Sequence, residues 1–131
     1  MLVLLMSSMV MGQTPVAPAA GDGSEGNPYQ IATWQNLYWI SQNTERWNKY
    51  YIQTADISFP TTGDDAINNW DGNAGWTPIG NISTYFNGYY DGQNHTISNL
   101  YINRTGTDHV GLFGYVSYAG DIIKNLSLIH I

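Results

Sequence analysis

The chain contains no cysteine, which removes a disulfide framework, a thiolate zinc site, a catalytic thiol and a lipidated cysteine anchor from these residues. Positive charge is nearly as scarce. Arg46, Lys49, Arg104 and Lys124 stand against ten acidic residues, for a formal charge of −6. Nothing here forms a basic patch able to neutralise a phosphate backbone, so nucleic acid is excluded as an expected partner. Charged residues make up only 11% of the chain, too few for a disordered polyampholyte or an ion-paired helical bundle. The one long apolar run, at residues 1–11, falls short of the ~20 residues a spanning helix requires. There is no Gly-x-Ser-x-Gly, no phosphate loop and no pair of carboxylates that a repeat would force onto one face, so no nucleophile constellation is visible and no cofactor is expected.

What is present is aromatic and turn-forming: five Trp, ten Tyr, three Phe and 14 Gly in 131 residues. That length allows one small domain. Residues 1–20 have the character of a signal peptide and leader, an apolar run followed by small residues, and predict export. Residues 21–27 are expected to be a flexible linker, the end of a Pro/Ala/Gly-rich stretch. Order is expected from 28 to 131. Tyr29 to Ile31 suits a short strand, and Thr33 an N-cap for a helix whose Trp34, Leu37, Tyr38 and Ile40 share one side up to Asn43. Strands are then predicted within 50–57, 85–89, 96–102, 109–116 and 122–129, punctuated by Gly, Asn and Asp clusters. Between them, residues 61–75 form a long polar excursion suited to a binding loop.

One phrase occurs twice. Ile97-Ser98-Asn99-Leu100-Tyr101-Ile102 returns as Ile123-Lys124-Asn125-Leu126-Ser127-Leu128. A β-rich unit recurring after 26 residues, as Ile97 does at Ile123, predicts stacked parallel coils, each burying its apolar face on the next. Leu100 should then lie over Leu126, Ile102 over Leu128, and Asn99 over Asn125 with their amides bonded along the stack.

Several segments, in order, carry a family resemblance: Gly23-Ser24-Glu25-Gly26-Asn27-Pro28-Tyr29-Gln30-Ile31, Ala55-Asp56-Ile57, Trp76-Thr77-Pro78-Ile79-Gly80, the run from Phe86 to Leu100, and Val110-Gly111-Leu112-Phe113-Gly114-Tyr115-Val116. Together they resemble bacterial surface proteins with GLUG repeats, the last segment containing the Gly-Leu-x-Gly signature as Gly111, Leu112, Phe113 and Gly114. The resemblance covers about residues 23–128. It implies an all-β fold, a right-handed parallel β-helix-like solenoid with one N-terminal capping helix, truncated at its C-terminal end because one such unit is fewer than the about three coils a solenoid needs. On that expectation, 28–131 are the cap and first coils, further repeats follow, and the protein is secreted or held at the cell surface. GLUG repeats occur in adhesin-like proteins and beside immunoglobulin A peptidase modules.

Candidate chemistry is sparse. Asp91 and His95 could form an acid/base pair, yet Asp91-Gly92-Gln93-Asn94 is turn chemistry first. His109 and His130 lack partners at metal-ligand spacing. Asp64, Asp65 and Asp71 offer calcium-type oxygens, though in an order unlike an EF-hand loop. Among the aromatic residues that could meet a sugar, Trp70 stands in a polar loop and is expected to be exposed, with Asp71 and Asn73 beside it as ligand contacts. The expected function is a non-catalytic extracellular scaffold or adhesin-like module that presents loops to a glycan or a host or cell-surface protein. Two rivals stay open: the N-terminal part of a carbohydrate-active β-helix enzyme (polysaccharide lyase or glycosidase) drawing on Asp56, Asp91 and His95, or an accessory region of a secreted peptidase.

Overall fold

A computed structural model describes residues 13–117 and 122–129. The apolar run at residues 1–11, the Ala119-Gly120-Asp121 cluster that separates the last two expected strands, and His130 lie outside the described residues. The order of elements is β1 (Tyr29–Ile31), α1 (Trp34–Gln42), β2 (Tyr50–Gln53), β3 (Ile57–Ser58), α2 (Trp70–Asn73), β4 (Tyr89–Asp91), β5 (Thr96–Ser98), β6 (Ile123–Lys124) and β7 (Ser127–Ile129), with single 3-10 turns at Thr44–Arg46 and Ile67–Asn69.

The helix begins where its cap predicts. Thr33 Oγ1 accepts the Asn36 N–H at 3.1 Å, and Asn36 Oδ1 accepts the Thr33 N–H at 3.2 Å, a reciprocal box that satisfies two otherwise orphaned donors. Leu37 and Ile40 are buried in the core. At the other end the Asn43 amide donates to the Trp39 carbonyl, and the chain turns away.

All strand pairs are parallel, in two separate sheets ordered β1-β2-β4-β6 and β3-β5-β7. Register in the first places Tyr29 opposite Tyr51, Tyr51 opposite Tyr90, and Tyr90 opposite Ile123. The three tyrosines are buried. In the second, Ile57 faces Ile97 and Ile97 faces Leu128. Between the two sheets, Gln53 is fully buried. Its amide donates to the carbonyls of Ala55 (2.9 Å) and Thr96 (3.1 Å), and its Oε1 accepts the Tyr90 hydroxyl at 3.0 Å, so this interior polar group is fully satisfied. The Tyr90 phenol is pushed well above its usual pKa by burial and remains a neutral donor.

The all-β, β-helix-like solenoid is not what forms. Among the described residues there are two small parallel sheets and two short helices, with no closed coil, and the domain is of mixed α/β class. The reason lies in the register. Stacked coils of one length would keep a constant step between paired residues, whereas here the step from Tyr29 to Tyr51 is much shorter than that from Tyr51 to Tyr90, and the longer connection holds α2. The stretch 109–116, expected as a strand, contributes only isolated bridges, Phe113 to Ile79 and Val116 to Phe86.

The doubled phrase also pairs differently. Leu128 lies opposite Ile97, not Ile102, and Lys124 lies opposite Asp91. Asn99 and Asn125 do not stack on each other. Each takes positive φ (63° and 54°) at a corner, and their amides reach different neighbours, Ser58 Oγ at 2.9 Å and Asp91 Oδ1 at 3.0 Å. The likeness therefore encodes a common corner, one after β5 and one after β6. Gly92 shows how closely the corners approach: its N–H donates to the Lys124 carbonyl, and a Cβ there would stand 2.3 Å from the Asn125 oxygen.

Two loops differ from expectation as well. Residues 21–27 are bonded to the body, since the amides of Asp22 and Gly23 donate to the Asn27 carbonyl and the Gly23 carbonyl accepts the Tyr50 N–H at 2.9 Å. In the long polar excursion, Trp70 is buried at 2% exposure, correcting the expectation that it meets solvent. Its ring packs on Trp34, Tyr38, Phe59 and Trp76 at centroid distances of 5.3–6.4 Å, and its Nε1 donates to the Asp65 carbonyl at 2.8 Å. The polar sequence around it hid its role, because an indole that finds a backbone acceptor can be buried from within a loop. Trp70→Ala should lower the unfolding free energy by about 3–5 kcal/mol, read by urea denaturation followed with far-UV circular dichroism; an unchanged midpoint would refute this role.

Candidate functional site

Two tyrosine doublets build the most developed surface feature. Tyr50-Tyr51 in β2 and Tyr89-Tyr90 in β4 are in register, and strand alternation sends one ring of each doublet inward and the other outward. Tyr51 and Tyr90 enter the core. Tyr50 and Tyr89 stack outside with centroids 4.5 Å apart and planes inclined by 15°, Tyr89 remaining 42% exposed. They wall an open groove of about 460 Å³, completed by Glu25, Ile52, Asp91 and Lys124.

The polar groups of this groove are held in place. Asp91 Oδ1 accepts the Gln93 N–H at 2.9 Å and the Asn125 amide at 3.0 Å, while Lys124 Nζ stands 3.9 Å from Oδ2. Burial works to raise the Asp91 carboxyl, but these donors and the ammonium outweigh it and keep its pKa below the ordinary value. The Tyr50 phenol is shifted the other way, by desolvation first, then by the Glu25 carboxylate and by Tyr89. A fixed carboxylate, an ammonium and phenolic hydroxyls beside aromatic carbon suit recognition of a polyhydroxyl ligand.

The residues singled out from sequence are largely committed elsewhere. Asp71 pairs with Arg104 at 2.8 Å, and the same guanidinium donates to the carbonyls of Trp76 and Gly75 and to Thr77 Oγ1. Asp71 and Asn73 take positive φ within the exposed part of α2, which is kinked there. Asp64, Asp65 and Asp71 do not converge: among the described residues no group of three or more His, Cys, Asp or Glu could hold a metal ion. His95 is joined to Asp56 at 3.2 Å and not to Asp91. The Asp56 carboxyl is held below its ordinary pKa by the Thr96 N–H (2.9 Å) and then by His95. Of the Gly-Leu-Phe-Gly unit, Leu112 is buried and Phe113 packs on Phe86 and Tyr90. Leu100 and Leu126 are half-buried against the core. A second cleft, about 470 Å³, runs beside Asn81, Ile82, Thr107, His109 and Val110, but Arg104 at its margin has its donors directed into residues 71–77. Tyr50 escaped notice as a site residue, although the repeated Tyr-Tyr doublet was the signal that could have disclosed it.

No family model matches the chain and no solved structure does. It is 37% identical over 120 residues to Halomucin of Haloquadratum walsbyi, an alignment that takes in 89% of this chain and 1% of Halomucin. It is 34% identical over 113 residues to a protein named as a Gly-rich membrane protein in Evansella cellulosilytica, covering 84% of this chain and 12% of that protein. The chain thus spans a small fraction of the length of these curated relatives. Among the described residues no helix is long and apolar enough to cross a membrane.

The depressed Asp91 and Asp56 carboxyls bind protons more weakly in the folded chain than in the unfolded one. Their contribution to stability is therefore complete above the unfolded carboxylate pKa of about 4 and is lost as pH falls through the lower folded values. Asp91→Asn should flatten the acid limb of a pH–stability curve below about pH 4 relative to the parent; superimposable limbs in urea titrations across that range would contradict the shift.

Proposed function

We propose that this chain is a non-catalytic extracellular module of a longer surface-associated protein, presenting its sheet face and loops to glycan or protein partners. The observation that carries the proposal is the contrast between its polar clusters and its open groove. Asp91 and Asp56 each hold a corner through Oδ1, His95 pairs with Asp56 and Asp71 pairs with Arg104, whereas the stacked pair Tyr50 and Tyr89 faces outward over accessible space. A general acid or base needs a free lone pair or proton aimed at a substrate. The corner carboxylates instead hold the backbone.

The similarities support the same reading. Nearly the whole chain aligns within two much longer proteins, one named Halomucin and the other named for glycine richness and a membrane, as a module within a large surface polypeptide would. The ordered motifs that resemble GLUG-repeat surface proteins point to an adhesin-like role. A location outside the cell is supported by that resemblance and by the signal-peptide-like character of residues 1–20.

Two measurements test this. Incubation with a panel of neutral and acidic polysaccharides should release neither new reducing ends nor unsaturated sugar products, and release of either would replace the proposal with an enzymatic one. Protease shaving of intact cells that make the parent protein should liberate peptides from residues 28–117; complete protection of that segment in intact but not in lysed cells would overturn the surface location.

A further inference from the structure

We infer that the groove walled by Tyr50 and Tyr89 binds a neutral glycan laid across the strands, with Asp91 and Lys124 as its hydrogen-bonding partners. The inference rests on the reading of the chain as a binding module and goes on to name the ligand class and the residues. Register fixes the geometry. Tyr50 lies opposite Tyr89, and in the neighbouring outward column Ile52 lies opposite Asp91 and Asp91 opposite Lys124. The two columns run perpendicular to the strands, one aromatic and the other apolar giving way to charged. A pyranose offers the complementary surface, a patch of C–H groups bordered by hydroxyls that both donate and accept.

Charge selects among glycans. Glu25 and Asp91 outnumber Lys124 in the groove, and the whole chain carries −6, so a polyuronate or sulfated chain would be repelled. Asp91 accepts from the Asn125 amide and the Gln93 N–H through Oδ1, which leaves Oδ2, 3.9 Å from Lys124 Nζ, turned to the groove's cation. Such an acid and ammonium pair can serve hydroxyls of either polarity. Rigidity favours binding too, because the tyrosine rings are already stacked and little side-chain entropy remains to be lost. An extended peptide is a poorer fit. Strand addition needs free backbone N–H and C=O groups at a sheet edge, and β2 and β4 are interior strands paired on both sides.

Affinity electrophoresis of the full chain in native gels containing glucomannan, xyloglucan or polygalacturonate tests the inference. Retardation is expected in at least one neutral gel and not in polygalacturonate. Tyr89→Ala should weaken that retention about tenfold, as loss of an aromatic contact does, Tyr89→Phe should keep most of it, and Tyr85→Ala, an exposed tyrosine outside the groove, should leave it unchanged. Lys124→Ala supplies a second groove variant at a side chain 57% exposed, where folding is not at stake, and should also reduce retention. No retardation in either neutral gel, retardation by polygalacturonate alone, or full retention in both Tyr89→Ala and Lys124→Ala would overturn the inference. None of these results involves bond cleavage or cell location, so the groove can fail while the non-catalytic surface module stands.

Discussion

Parallel pairing is the constraint on which this structure depends. Two antiparallel strands can be joined by a two-residue turn, but parallel neighbours require the chain to travel back to its starting side before it pairs again. Every partner in these sheets is therefore distant in sequence: Tyr29 meets Tyr51, Tyr51 meets Tyr90, and Ile97 meets Leu128. The connections must themselves bury apolar surface or they would be long unsupported loops. That accounts for α1 lying over the core through Leu37 and Ile40, and for the excursion between β3 and β4 inserting Ile67 and Trp70 beneath it.

Corners are the second consequence. Between the first sheet and the second the chain bends after β2, β4 and β6, the last two bends through left-handed backbone and local side-chain bonds. Gln93, Asn94 and Asn125 all take positive φ. The carboxylates at these corners accept amides from the same or an adjacent corner: Asp91 from Gln93 and Asn125, and Asp56 from Thr96. Asp91 and Asp56 in this way hold the corners through one oxygen each, while the outward columns of the first sheet, Asp91 Oδ2 among them, remain available for recognition.

Local features were legible from the chain. The Thr33 cap, the helix with Leu37 and Ile40 inside, the first strand at Tyr29, and the turns at 91–94 follow from short-range sterics and hydrogen bonding, which act between residues a few positions apart. Pairing was not legible. Asn99 and Asn125 share a local environment, and so share a sequence phrase, yet their amides bond to Ser58 and Asp91 in different sheets. Similarity of sequence there reported similarity of bend and not of stacking partner. Trp70 failed for the same reason: its neighbours in sequence are polar, and the rings that bury it come from α1, Phe59 and Trp76.

By itself, the sequence determined composition-level limits and local conformation: no thiol chemistry, no basic nucleic-acid surface, one capped helix, short β-prone runs, and glycine or asparagine at most of the positions where φ is positive. Tertiary structure alone decided which strands pair and in what register, that the fold is mixed α/β with two separate sheets, that Trp70 lies inside, and that Tyr50 and Tyr89 stand together outside. The division has a physical cause. Backbone sterics and caps are settled within a few residues, whereas a parallel ladder joins groups that meet only when the intervening connection has found a core to bury itself in.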